Sequence, residues 1–280
     1  MKSTFWRRFR RNKGAVFGLL VLLLVGLVTA LGPFLAQHDA WDMAGMPFQA
    51  PLAEGGMPLG TDTMGRDILS GIVAGARVSL LIGVVSTLVS LLIGVGVGAV
   101  SGYFGGWVDA TLMRFTELFQ AIPSFALAIV LVAIFQPSVQ SIVAAIAVVS
   151  WPPVARLVRS EFLTLRQRDF VAAAQLAGQS TPRIILTQIL PNAASPIVVM
   201  ASLMIATAIL LESSLSFLGL GDPNQMSWGY MVGSARTVLR QAWWMAVFPG
   251  LAILLTVLAL NLVGEGLNDG LNARADGRGK

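Results

Sequence analysis

The sequence predicts an all-α integral membrane protein with six transmembrane helices and both termini in the cytoplasm. Three observations carry that reading. First, 55% of the 280 residues are hydrophobic and only 12% are charged, with mean hydropathy +0.76, whereas a soluble domain carries about 25% charged residues. Second, the stretches between charges are long enough for the roughly 20 apolar residues that a helix needs to cross about 30 Å of hydrocarbon. Third, Lys and Arg are distributed unequally between alternate loops. Because the chain has about half the charge needed to wet a surface, soluble enzymes, disordered tails and nucleic-acid modules are disfavoured together, and the pI near 10.4, which could suggest nucleic acid, rests on a net charge of only +5. The absence of cysteine removes disulfides and thiolate chemistry. A single histidine, His38, disfavours histidine-based catalysis and metal binding.

The charge-free stretches are Gly14–His38, Val78–Val108, Leu118–Ala155, Ile184–Leu211 and Gln241–Gly264. The third has 38 residues and is interrupted by Gln136-Pro137-Ser138 and Gln140, so it reads as a hairpin of two spans. The expected spans are 15–36, 79–102, 115–135, 139–157, 193–212 and 242–264. Pro123 and Pro249-Gly250 predict kinks, which membrane helices tolerate. The apolar run Gly14–Ala36 exceeds the 7–15 residues expected of a signal-peptide core, so the first span reads as an uncleaved anchor. Six crossings place the basic N-terminus, the 103–114 and 156–192 loops and the C-terminal tail on one side. That side holds fifteen of the nineteen Lys and Arg residues and the other keeps Arg66, Arg77, Arg236 and Arg240. The basic side is cytoplasmic by the positive-inside rule.

Three non-membrane segments exceed a simple turn. In the outer segment 37–76, Leu59-Gly60-Thr61-Asp62-Thr63-Met64-Gly65-Arg66-Asp67 lacks the Gly-Lys-Ser/Thr ending of a phosphate loop. It reads instead as an ordered loop with turn glycines and an Asp/Arg capping pair. In the inner segment, Asp169 through Ala177 reads as a short amphipathic helix stopped by Gly178, with Phe170, Val171, Ala174 and Ala177 on one face. Such a helix cannot bury an apolar face alone. Its alanine-rich composition favours a protein partner over the membrane surface, where basic and bulky apolar residues prevail. The outer segment 212–240 begins at Glu212 and is expected to form a re-entrant or interfacial element, with Trp228, Tyr230, Trp243 and Trp244 at the headgroup level.

Within the second span Ser86, Ser90, Gly94, Gly98 and Gly102 recur every four residues. That stripe suits close helix packing, with lining of a transport path as the alternative. No Asp, Glu, Lys or Arg falls at the centre of a span, Glu117, Glu212 and Glu265 being read near span ends, which lowers the weight of a proton- or sodium-coupled carrier. No catalytic constellation can be assembled.

Three motifs together resemble ABC importer permeases of the dipeptide/oligopeptide/nickel family, C-type subunit. Asp169-Phe170-Val171-Ala172-Ala173-Ala174 through Gly178, then Leu190-Pro191, resembles their cytoplasmic "EAA" loop. Leu59 through Asp67 with Gly75-Ala76-Arg77-Val78-Ser79-Leu80 looks like their outer segment, as do Ser216 through Gly221, Ser227-Trp228-Gly229 and Asn261 through Leu267. The chain departs from the pattern at Ala172, where the loop's glutamate is expected, at Asn224-Gln225, where a Pro-Pro pair is common, and at Glu265, where Asp is expected.

The resemblance implies a type I ABC importer permease in a bacterial inner membrane. Its parts would be a basic N-terminus 1–14, an anchor 15–36, a periplasmic segment 37–76, a transmembrane domain 77–267 containing a coupling loop 158–192, and a tail 268–280. It implies a homologous B-type permease as partner, one or two ATPase subunits that hold ATP and Mg²⁺, and a periplasmic or lipoprotein solute-binding protein. No cofactor is expected in this chain. The cargo implied is di- or oligopeptides, with nickel chelates, glutathione or another small peptide-like solute as the alternative. Readings from other classes are a self-sufficient channel or carrier and a structural scaffold.

Overall fold

The computed structural model describes residues 2–35, 38–53 and 57–271. Glu54 and the basic residues Arg274, Arg278 and Lys280 of the expected tail lie outside them, as does the last residue of the expected first span. Helices run α1 (Lys2–Arg11), α2 (Lys13–Leu35), α3 (Ile68–Phe104), α4 (Gly106–Ala121), α5 (Ser124–Phe135), α6 (Val139–Leu165), α7 (Asp169–Leu176), α8 (Thr181–Arg183), α9 (Leu190–Leu215), α10 (Trp228–Ala235) and α11 (Trp244–Leu271). Two π-helical segments, Ile184–Ile189 and Ser216–Leu220, extend α9 at both ends. Among the described residues five helical stretches are long and apolar enough to cross a membrane, and the count reaches six when α4 and α5, bent by 81° at their break, are taken as one broken span.

Each helix begins or ends for a local reason. Asp67 caps α3, its carboxylate accepting from the amides of Leu69 and Ser70. Ser138 and Ser141 form a reciprocal capping box at the start of α6. Pro123 cannot donate an amide hydrogen, and it stands where α4 turns into α5. The kink predicted there is a full break.

The spans differ from expectation at their ends. The second span was drawn from 79 but α3 starts at Ile68, and its 37 residues reach roughly 55 Å, well beyond the hydrocarbon layer. The helix passes through Arg77, whose Nε donates to the Thr29 carbonyl of α2 at 2.9 Å. The fourth span was drawn to 157, but α6 continues to Leu165.

The long helices alternate in direction. Thr29 meets Arg77 at one end, and the close of α3 meets Arg159 and Phe162 of α6 at the other. The second end also gathers α7, the start of α9, and α1 against the close of α11, where Phe5 and Phe9 lie over Gly270 and Gly266. Both described ends of the chain therefore share one face with the 165–183 loop and with the α3–α4 junction at Gly105, where the 103–114 loop expected from the sequence is helical on both sides. The opposite end is a cap made of residues 38–53 and 57–67, the 221–227 loop and α10.

The α3–α6 seam carries the small-residue stripe. Ser86, Ser90, Gly94, Gly98 and Gly102 are all buried. A Cβ on Gly98 would lie 2.5 Å from the Ala155 carbonyl, and one on Gly102 would lie 2.8 Å from the Arg159 carbonyl. These glycines are what allow the two backbones to meet.

Candidate functional site

The loop between α6 and α9 is built as a rigid projection. Arg166 ends α6 with its amide bonded to the Phe162 carbonyl, and the Arg168 carbonyl accepts from the Val171 amide at 2.9 Å to start α7. Asp169 stands in the first turn, where a negative charge suits the helix dipole. After Leu176, the Gly178 amide bonds the Gln175 carbonyl and the Gln179 amide bonds the Ala174 carbonyl. Gly178 has φ +70°, a left-handed conformation that glycine adopts without a Cβ penalty. The chain then re-enters the bundle through α8 and the first π segment.

The apolar face of α7 is split, which corrects the face drawn from the sequence. Val171 (0% exposed) and Ala174 (6%) are buried within this chain, in a cluster with Val158 and Phe162 of α6, Ile184 and Ile189 of the π segment, Ala193 of α9 and Ala99 of α3. No foreign subunit is needed to shelter them. Phe170, Ala172, Ala173, Ala177 and Gly178 are exposed, and Leu176 is 90% exposed. Leu190 is half-buried against the cluster and Pro191 is exposed. A 100° advance per residue puts 171 and 174 on one side of a helix and 172, 173 and 176 across from it. The surface open to a partner is the second set, with Leu176 at its centre.

Beside this loop lies a polar junction that the sequence reading did not pair. Arg159 of α6 donates through Nε and Nη2 to the two carboxylate oxygens of Asp109 in α4, 50 residues away. Ser101 Oγ of α3 donates to the same carboxylate. Arg166 Nη1 donates to the Tyr103 carbonyl at 2.9 Å. Spacing gives no signal for such a pair; only the packing of α3 on α6 brings it together.

At the opposite end Glu212 was read as the opening of a loop. It lies inside α9 and is 1% exposed, accepting from Ser216 Oγ at 2.8 Å and Ser227 Oγ at 2.7 Å. Ser227 caps α10, and the following Trp228 amide donates to Ser79 Oγ of α3. Gly229 must lack a side chain, since a Cβ would sit 2.8 Å from the Glu212 carboxylate. Trp228 and Trp244 are likewise inside the cap rather than at the lipid headgroups, donating to the Ile72 and Thr61 carbonyls. Trp243 remains half-exposed. In the 59–67 loop the Asp62 carboxylate accepts the amides of Met64 and Arg66, and Gly60 and Gly65 take positive φ, as an Asx-turned loop requires.

Among the described residues no group of three His, Cys, Asp or Glu side chains is placed to hold a metal ion. The described residues form a projecting loop at one end, a hydrogen-bonded cap at the other and a tight seam between them. Residues 94–277 match the binding-protein-dependent transport system inner membrane component family, and residues 3–51 match the N-terminal transmembrane domain of oligopeptide transport permease C. The chain belongs to this permease family. It is 43% identical over 276 residues to the dipeptide transport system permease protein of Escherichia coli, covering 96% of this chain and 92% of that one. It is 42% identical to the di/tripeptide transport system permease protein of Pseudomonas aeruginosa, with 96% and 91% covered. It is 40% identical to the oligopeptide transport system permease protein of Escherichia coli, with 96% and 89% covered. A solved structure of the MetNI methionine ABC transporter shares the fold with TM-score 0.59 at 17% identity, over 70% of this chain and 93% of that one. The permease is thus a multi-pass membrane subunit with the ABC importer permease fold.

Proposed function

We propose that this permease forms half of the translocation path of an ATP-driven importer for di- and oligopeptides, in a bacterial inner membrane. A homologous B-type permease supplies the other half. A periplasmic or lipoprotein binding protein delivers peptide to the capped end, and one or two ATPase subunits on the cytoplasmic side bind ATP and Mg²⁺. The observation that carries this reading is the outward face of α7, where Ala172, Ala173 and Leu176 stand exposed at the basic end of the bundle. Small side chains beside one large apolar group suit insertion into a cleft of another protein. With Val171 and Ala174 fastening α7 to α6 and α9, a push on that face is carried into the bundle rather than absorbed by the loop. Nucleotide shifts the inward-open and outward-open states only by its different affinity for them. Peptide as cargo is supported by the similarity over 96% of this chain to permeases named for dipeptides and oligopeptides.

The docking claim is tested by paired substitutions in the assembled complex. Ala173→Arg with Leu176→Asp is expected to weaken retention of the ATPase subunits at least about tenfold, as loss of a central interface anchor does. Ala174→Arg is expected instead to destabilise the permease itself. Full retention of the ATPase subunits by the outward pair would refute docking at α7. Uptake of a labelled dipeptide by the reconstituted importer tests the cargo, and uptake of a nickel chelate without any peptide uptake would overturn it.

A further inference from the structure

The root of α4 is held to α3 by backbone hydrogen bonds, from the Gly105 amide to the Ser101 carbonyl and from the Asp109 amide to the Gly105 carbonyl, and to α6 by side chains. Gly105 and Gly106, which join α3 to α4, both take positive φ, +67° and +53°, and carry no side chain to limit rotation there. Beyond the root, Thr116 is the one buried residue of α4, with Phe115 and Phe119 resting on Trp151 of α6. The Asp109 carboxylate in its first turn ties the root of α4 to α6. That carboxylate is gripped by the Arg159 fork and by Ser101. A two-point guanidinium–carboxylate contact fixes orientation as well as distance. Arg159 sits in the last two turns of α6, and Arg166, which ends that helix, holds the Tyr103 carbonyl at the close of α3. From Arg166 only two residues lead to α7.

We propose that the Asp109–Arg159 pair is a positioning link that carries displacement of the α7 loop into α4, an assignment that rests on α7 being the docking element described above. Motion entering at α7 moves the end of α6. The glycine pair lets α4 turn, and the fork makes it turn with α6 instead of lagging behind. Without the fork, Ser101 still holds the Asp109 carboxylate to α3 and the rings of Phe115 and Phe119 still rest on Trp151, but no two-point contact ties the root of α4 to the end of α6. An acid in the first turn of a helix serves the dipole by itself. A role of that kind would not need Arg159 and would leave coupling intact.

The experiment uses the complete importer in liposomes, with transport per ATP hydrolysed and retention of the ATPase subunits measured for each variant. Asp109→Asn and Arg159→Gln are each expected to keep the ATPase subunits and their hydrolysis while transport per ATP falls about tenfold, within the range of allosteric couplings. Asp109→Glu, which keeps the charge, is expected to restore transport per ATP to within about threefold of the parent. Parental coupling in both neutral variants overturns the link, and so does an Asp109→Glu variant no better than Asp109→Asn. Loss of the ATPase subunits from the neutral variants also overturns it, because the pair then supports the docking surface instead of transmission. A parent importer whose ATPase subunits are retained equally by the Ala173→Arg, Leu176→Asp pair removes the docking reading, and the link falls with it.

Discussion

The α3–α6 seam and the bent pair α4–α5 traverse the same apolar layer under opposite rules. Along the seam, backbone meets backbone through Gly94, Gly98 and Gly102, and the Ser90 hydroxyl reaches the Ala147 carbonyl of α6. Along α4, Trp107 and Leu118 face outward, and the helix breaks from α5 by 81° at Pro123. Both segments are apolar, yet one is a joint and the other an arm. In lipid there is no gain from moving an apolar side chain off the solvent, so close packing of small residues is what distinguishes them. Hydropathy registers the crossing; it does not register whether the crossing is held.

The largest expected effect breaks the seam. Gly98→Leu places a Cβ 2.5 Å from the Ala155 carbonyl, a backbone atom that cannot move aside without separating the helices. The cost is expected to reach at least about 3 kcal/mol, at the upper end of overpacking penalties, and to appear as loss of folded permease from detergent extracts. Gly96→Leu, two residues away on the same helix, meets nothing within 4 Å and is expected to fold as the parent does. Equal behaviour of the two variants would show that α3 and α6 are not in contact along this stripe.

The contrast also shows which parts of the molecule are written in local sequence. The four-residue repeat from Ser86 to Gly102 is visible without any structure, because a helix brings every fourth residue to nearly the same side. Pro123 marks the break, and Asp169 and Gly178 bracket α7, since proline, first-turn acids and left-handed glycines act on their own backbone. The early start of α3 at Ile68 was hidden because Arg77 ended the apolar count, and an arginine that hydrogen-bonds the Thr29 carbonyl does not end a helix. The inward side of α7 was hidden for another reason. Val171 and Ala174 are indistinguishable from a partner-facing pair until Phe162, Ile184 and Ile189 are placed beneath them. Glu212 and the Asp109–Arg159 pair depend on residues 15 and 50 positions away, beyond the reach of any periodicity.

A smaller effect is expected at the capped end, which is a joint of a different kind from the seam. Glu212→Ala leaves the Ser216 and Ser227 hydroxyls without their buried acceptor and frees the start of α10 from α9. The expected loss is about 1–3 kcal/mol, the range for stranding buried donors. It would be read as faster proteolysis of the 221–243 segment while the α3–α6 seam stays resistant. Glu212→Gln keeps an acceptor oxygen and is expected to lie between the parent and the alanine variant. If Glu212→Ala leaves proteolysis of that segment unchanged, the cap is held by Trp228 and Trp244 alone.

The smallest effect belongs to the arm. Leu118 lies on α4 and is two-thirds exposed, at 67%. In the isolated permease its side chain meets lipid or detergent in the folded and unfolded-in-membrane states alike, so Leu118→Ala is expected to change stability by no more than about 0.5 kcal/mol, as surface substitutions do. The same substitution in the assembled importer sharpens the contrast with the seam. An arm that turns at Gly105–Gly106 and packs weakly on its own chain has room to rest against the second permease. If it does, Leu118→Ala lowers the stability of the complex while leaving the isolated chain unchanged, and the outward side chains of α4 are an interface. If the complex is as indifferent as the isolated chain, the outward side of the arm faces lipid in the assembly, and α4 engages the importer through Asp109 and the rings on Trp151 alone.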